Sequence, residues 1–408
     1  MRSFFSNAFL MYVLNGLSTV VLGAVLPAML QHYHASYIVG GQVMLFQFIG
    51  FLAGVGAASS AIHRVGHRAA LMAASAAMGL GELLMGTLPP LPVVAVLCFL
   101  NGFGLGAMQT TIAASVMDWY EGRRAVMMSR LEVAFGLGAL LMPLFASWLL
   151  AVRQWPFAFT APGALALVLG VMWLFVRLDG SADGASGPRD AVTGRSEMTR
   201  RTGMVVLALF LAMTFLYVGI ESSVNGFLPA IFIPYLHASA STASLTITVF
   251  WSAMVLGRTL TGRIVRKVPY ARFLLWSISL AIALLMGLTA WRNAAFFYVM
   301  VFLVGLAMSS IYALIMVFAN HTFTGRTRLV TSLVTAFAGL GGAALPVAVG
   351  WLMDALPVVL VIWSIALFML ALLVVLLAIM RIASTPRKPA GRRGLRVDQR
   401  GPEQADRV

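Results

Sequence analysis

Apolar stretches of about 20 residues, each parted from the next by a short polar break, leave a chain few ways to fold. Along these 408 residues such runs lie near 5–30, 38–62, 69–89, 92–118, 125–151, 155–177, 203–232, 240–264, 271–291, 295–320, 327–353 and 357–381. Within hydrocarbon every backbone N–H and C=O must be satisfied inside its own segment, so each run is predicted to be a helix. Composition closes the soluble alternative: 61% of residues are hydrophobic and 10% charged, where a soluble domain carries roughly 25% charge. The first run is longer than a signal-peptide core and shows no convincing cleavage site before Gln31, so it too is read as a helix. The expected fold class is an all-α polytopic membrane protein with twelve transmembrane helices.

The net charge of +15 suggests a nucleic-acid partner until its placement is examined. Of 28 Lys and Arg, all but Arg153 and Arg292 lie at alternate loops, in the segment 178–202 or at the termini. That asymmetry follows the positive-inside rule and predicts a multi-pass protein of the cell membrane with both termini cytoplasmic. Residues 31–37 and 233–240 are then extracellular. The basic stretch Arg387 to Arg400 has no aromatic side chain on which a base could stack, so the expected partners are membrane lipid, protons and a small solute, with no nucleic acid. Cys98 is the single cysteine, which excludes an internal disulfide.

The two halves of the chain match at an offset of 202 to 203 residues: Pro27 with Pro229, Phe48 with Phe250, Pro143 with Pro346 and Trp148 with Trp351. The expected organisation is a six-helix half at 1–177, a cytoplasmic linker at 178–202, a second six-helix half at 203–381 and a disordered basic tail at 382–408. Two parallel six-helix repeats resemble the architecture of the major facilitator superfamily, which implies a solute site between the halves near mid-membrane. A monomer is expected.

Within the seventh run, FLYVGIESSVNGFLP sets Tyr217, Glu221 and Asn225 at an i, i+4, i+8 spacing, along one stripe of a helix. An ionised carboxylate at that depth costs about 3 kcal/mol or more, so it needs a partner or a pathway. Of thirteen acids only Glu82, Glu132 and Glu221 fall inside runs, and Glu82 is expected to reach water at the extracellular end of its helix. Glu221 and Glu132 are therefore the proton-coupling candidates. The alternatives are that Glu221 only fixes packing and that Glu132 pairs with Arg130 or another Arg of the cytoplasmic side. All six histidines lie at run ends, and no His, Asp and Cys group with metal-ligand spacing is found, so neither a metal nor a cofactor is expected. Asn15, Gln42, Gln47, Asn101, Gln109, Tyr217, Asn225, Trp251 and Tyr312 are candidate solute ligands. Neutral donors and acceptors with flat rings suit a sugar, which offers hydroxyls and an apolar face and has no charge to neutralise.

The loop SAIHRVGHR resembles the superfamily signature Gly-x-x-x-Asp-Arg-x-Gly-Arg-Arg through Arg64, Gly66 and Arg68, with His63 at the Asp position. Arg258 and Arg263 take the corresponding place in the second half, and these five residues are the cytoplasmic gate candidates. The runs LFQFIGFLAGV, NGFGLGAMQTTIAASV, MSRLEVAFGLGALLMP, FLYVGIESSVNGFLP and VFWSAMVLGRTLTG resemble glucose/mannose-proton symporters of the fucose permease group. That group's fourth helix carries a Glu-Thr pair implied to couple protons to sugar, where this chain has Gln109 and Thr110. Its Asp four residues before the first-helix proline is replaced by Gly23. The resemblance implies a secondary active transporter working by alternating access, taking up a neutral sugar such as glucose or mannose with protons.

The first rival is a proton-driven exporter of drugs or metabolites, for which 24 Met and 26 Phe could line an adaptable pocket. The fifth run ends GLGALLMP rather than in the antiporter pattern GPxxGG, which counts against it. A membrane enzyme or receptor is the second rival, and the chain shows no nucleophile paired with a base to support it.

Overall fold

The computed structural model describes residues 2–120, 123–176, 200–264, 268–323 and 327–384. The expected linker and tail lie almost wholly outside them. The described elements are helices: α1 (Arg2–His32), α2 (Tyr37–Met85), α3 (Leu91–Trp119), α4 (Arg124–Ala151), α5 (Phe157–Met172), α6 (Arg200–Leu236), α7 (Ala240–Ile264), α8 (Tyr270–Gly287), α9 (Ala294–Met308), α10 (Ile311–Thr322), α11 (Thr327–Ala355) and α12 (Val358–Ser384).

Two elements depart from one helix per span. α2 runs 49 residues, about 74 Å at ~1.5 Å per residue, enough for two crossings of a ~30 Å core. At Gly66 its backbone turns to φ 80°, ψ 165°, a conformation open to glycine because it has no Cβ. The chain folds back there, since Gly102 of α3 packs on Gln47 of the first arm and Gly104 on Ala74 of the second. Conversely the tenth expected span is broken at Ser309 and Ser310 into α9 and α10. Among the described residues, ten helical stretches are long and apolar enough to cross a membrane. With the second arm of α2 and the shorter α5 the count is consistent with twelve passes.

The repeat is visible in how backbones cross. A Cβ on Gly138 of α4 would stand 1.9 Å from the Val13 carbonyl oxygen of α1, and one on Gly16 would stand 2.0 Å from that of Phe135. Displaced by 203 residues, Gly341 of α11 packs on the Phe215 carbonyl of α6, and Gly219 on that of Gly341. Gly102 on Gln47 likewise becomes Gly305 on Phe250. Lipid supplies no hydrophobic force between helices, so close backbone approach at small residues holds each half together.

Between the halves α1 meets α6, α2 meets α11 and α4 meets α7. At the end that carries residues 33–36 and 237–239 this interface is shut. Asp354 Oδ1 and Oδ2 accept the backbone N–H of Tyr37 (2.9 Å) and Ile38 (2.8 Å), the free donors of the α2 N-terminus. Ser147 and Ser241 hydroxyls meet at 3.0 Å, and Ser244 donates to the Pro143 carbonyl at 3.1 Å. Toward the opposite end, Glu132 on α4 has half its side chain exposed.

Candidate functional site

The site is built round the break in the tenth span. A helix interrupted at Ser309 and Ser310 leaves carbonyls without an intrahelical donor, and in an apolar interior they must find another. The Tyr217 hydroxyl of α6 donates to the Met308 carbonyl at 2.7 Å, and Arg258 Nε of α7 donates to the Ser309 carbonyl at 3.2 Å. Gly257 packs directly on the Ser309 side chain, and Thr261 reaches the Ser310 hydroxyl at 2.6 Å. The break thus fixes the base of the Arg258 guanidinium.

Arg258 then spans both halves. Its Nη2 lies 3.8 Å from Glu221 Oε1 on α6, and its Nη1 lies 4.0 Å from Glu132 Oε2 on α4. These distances are ion pairs rather than hydrogen bonds. The guanidinium also stands over the Trp251 ring, 5.6 Å from its centroid, a cation–π contact. Trp251 is pinned in turn: its Nε1 donates to Asn225 Oδ1 at 3.0 Å, and the Phe135 ring meets it edge-on at 5.5 Å. Tyr312 lies within electrostatic reach of both Glu221 and Glu132. Two carboxylates, one guanidinium, an amide and aromatic rings therefore converge where α4, α6, α7 and the α9/α10 break meet.

The sequence stripe is corrected in one member. Tyr217, Glu221 and Asn225 do share a helix, but Tyr217 is buried with its hydroxyl committed to Met308, so it serves packing rather than an open cavity. Asn101 is also fully buried, and its Oδ1 accepts from Gln47 Nε2 at 2.9 Å. Asn15 is buried on α1 beside Thr19, and Gln42 is exposed. Gln109 is half-buried, and its backbone carbonyl accepts the Tyr12 hydroxyl at 3.4 Å. The nine solute candidates hence divide into a group near Arg258, a group inside the first half, and Gln42 apart.

Arg258 was grouped by sequence with the gate, and the structure places it between the acids instead. Arg64 is exposed at the α2 turn, and Arg68 donates to the Val176 carbonyl at 2.6 Å within its own half. The Arg263 side chain lies outside the described residues. His67, four residues after His63, stands 3.7 Å from Asp118 and 5.1 Å from the Trp119 ring.

Gly23, where the resemblance led one to expect an acid, has a steric reason. A Cβ there would stand 2.4 Å from the Asn225 carbonyl oxygen, so α6 occupies the space a side chain would need. Sequence reasoning missed Ser309 and Ser310. The signal for them was a pair of adjacent hydroxyl residues within a 29-residue apolar run, which offers local partners to a broken backbone. A small gap of about 20 Å³ lined by Val224, Leu228, Phe250, Leu285, Val304 and Ile362 among others lies apart, within the second half. Its apolar lining has no group to bind hydroxyls.

The family model described as Major Facilitator Superfamily matches residues 8–229 and 210–403. A protein of Bacillus subtilis (strain 168) named Glucose/mannose transporter GlcP is 30% identical over 342 residues, covering 82% of this chain and 84% of that one. Among solved structures, the nucleoside transporter NupG superposes with TM-score 0.74 at 12% identity, over 94% of this chain and 99% of its own. A D-xylose-proton symporter superposes with TM-score 0.67 at 16% identity, over 90% and 97%.

Proposed function

Because the chain belongs to the Major Facilitator Superfamily, and so is a multi-pass membrane transporter rather than an enzyme, we propose that it takes up a neutral hexose together with protons. The observation that carries the coupling is Arg258 held between Glu221 of its own half and Glu132 of the other. With both acids ionised that group carries one net negative charge. One proton on either acid makes it neutral. A transporter takes its loaded site through the occluded state at least cost when no uncompensated charge is enclosed in low dielectric, so the group would carry one proton across with the solute and release it inside before the empty carrier returns. Competition for Arg258 decides which acid is left to hold it.

Support for a sugar comes from the relative named for glucose and mannose, from the neutral amide and aromatic groups Asn225, Trp251 and Tyr312 beside the charges, and from Gln109 and Asn15 nearer the first half. Hydroxyls of a hexose can bridge amides, and its apolar face can lie on a ring. Arg64, Gly66, Arg68 and Arg263 remain assigned to the cytoplasmic gate. Under the positive-inside orientation the shut end is extracellular, and the chain is caught facing the cytoplasm. Cysteines introduced at 180–190 should then resist labelling by an impermeant reagent from outside, and labelling there would reverse the orientation.

The decisive measurement is uptake of radiolabelled glucose into proteoliposomes under an imposed inward proton gradient. Accumulation above the outside concentration that collapses with a protonophore is expected. Accumulation indifferent to the gradient would remove proton coupling, and extrusion of apolar compounds in place of glucose uptake would favour the exporter.

A further inference from the structure

Glu82 was expected to reach water, and the structure encloses it completely: its relative exposure is 0%. It sits on the second arm of α2 against Ser18 of α1 and Asn101 of α3, with its Cβ on the Gly163 position of α5. Ser18 and Asn101 stand close enough to act on the carboxylate, yet neither carboxyl oxygen, nor Ser18 Oγ, Asn101 Nδ2 or Asn15 Nδ2, meets full hydrogen-bond geometry. Asn15 lies one turn from Ser18 on the same face of α1. Glu82 belongs to none of the ion pairs among the described residues. Of titratable groups, α3 places Cys98 against it, and Tyr33 of the α1–α2 connection lies beyond Cys98. α5 carries no charged side chain, and on α1 the charged or titratable residues besides Tyr12 are Arg2 and His32, at the helix ends away from Ser18.

This is a polar chamber inside an apolar half, and its inventory of donors and acceptors suits a single exchangeable proton. Burial opposes a bare carboxylate. Against that, each amide offers two N–H donors and Ser18 one O–H, and an ionised carboxylate is a pure acceptor for them. When Glu82 is protonated its own O–H can turn to Ser18 Oγ while its carbonyl oxygen keeps an amide N–H. Both forms can be bonded after small side-chain rotations, so the chamber has two stable states differing by one proton.

The cluster lies near one helix end and is linked by a hydrogen bond to the other arm of α2. Glu82 stands four residues, about 6 Å along the axis, before Gly86, where α2 ends in the connection held by the Tyr33 hydroxyl on the Pro89 carbonyl at 2.7 Å. On the other side Asn101 Oδ1 accepts from Gln47 of the first arm of α2, the arm whose Met44 and Phe48 touch Gly226 and Gly342 of the second half. We infer that Glu82 is a second proton-binding site, loaded from the 86–90 connection and communicating with the half-to-half interface through Asn101 and Gln47. The proton comes from water, forms the carboxyl O–H, and returns to water on release. The site itself does not depend on the solute, whereas its consequence for transport rests on the reading of a proton-coupled carrier.

The test is infrared difference spectroscopy of the purified full chain in detergent, titrated across neutrality with no solute present. The wild type should show a protonated-carboxyl stretch that appears on acidification, is lost in Glu82→Gln, and survives in Glu221→Gln and Glu132→Gln. Persistence of that band in Glu82→Gln, or a spectrum of Glu82→Gln that superimposes on the wild type at every pH, overturns the inference. Should Glu82→Gln fail to fold, Asn101→Ala removes one donor and should move the midpoint of the band's titration, and an unmoved midpoint overturns it equally. Because no solute enters the measurement, failure of wild-type glucose uptake would count against the sugar reading alone.

Discussion

Arg258 Nη2 stands 3.8 Å from Glu221 Oε1, and the same guanidinium donates through Nε to the Ser309 carbonyl at 3.2 Å. The cation is thus anchored by the helix break at its base and shared at its tip. A shared cation makes the protonation of Glu221 depend on whether Glu132 of the other half, whose Oε2 is 4.0 Å from Arg258 Nη1, is close enough to compete. Reorientation of the halves changes that distance, which gives a physical link between facing state and proton affinity.

Glu221→Gln keeps the shape and hydrogen-bonding capacity of a protonated acid. It should abolish uphill accumulation of glucose in proteoliposomes while sparing exchange of internal for external solute. Glu132→Gln is the comparison that assigns the site. Retained accumulation in Glu221→Gln with loss in Glu132→Gln would move the coupling to Glu132, and retention in both would remove these acids from it.

Arg258→Lys preserves the charge but not the fork, and a single ammonium cannot bond the Ser309 carbonyl and face two carboxylates at once. Transport should fall at least about tenfold, a barrier increase of ~1.4 kcal/mol. Arg258→Gln combined with Glu221→Gln restores the balance of charge to one acid without its cation, so it should fold better than Arg258→Gln alone. Equal thermal stability of the two variants in detergent would show that Arg258 is not paired.

Asp354→Ala removes both acceptors that bind the α2 N-terminus to α11. The pair is exposed, so a loss of about 1 kcal/mol is expected, shifting the balance of facing states roughly fivefold. A cysteine placed near Tyr37 should label faster from the extracellular side in the variant. Unchanged labelling would show that Ser147, Ser241 and Ser244 hold the seal by themselves.

Gly138→Ala and Gly341→Ala each drive a methyl group onto a carbonyl oxygen, at 1.9 Å in both cases before relaxation. Each should lower stability by about 1–3 kcal/mol, read as a fall in the midpoint of thermal unfolding in detergent. Gly56→Ala, where a Cβ meets nothing within 4 Å, is the control and should leave the midpoint unchanged or raised.

Much of the fold was legible in the linear chain, because lipid forces each apolar run to satisfy its own backbone and hydropathy is a local property. The offset of 202 to 203 residues that aligned Phe48 with Phe250 reappears as the glycine crossings at 16 and 219, 138 and 341, 102 and 305. Depth alone marked Glu221 and Glu132 as costly side chains in need of partners. Which partner each would have could not be read, since it depends on the rotation of every helix about its own axis. Those rotations are set by contacts such as Gly136 on Val255 and Gly257 on Ser309, whose register is fixed between segments distant in sequence. Tertiary packing therefore decided that Arg258 turns inward to two acids, that Tyr217 is spent on the Met308 carbonyl, and that Glu82, near a loop in the chain, is sealed against Ser18 and Asn101. Sequence fixes how deep a side chain sits in its helix, and only the assembled bundle fixes which way it faces.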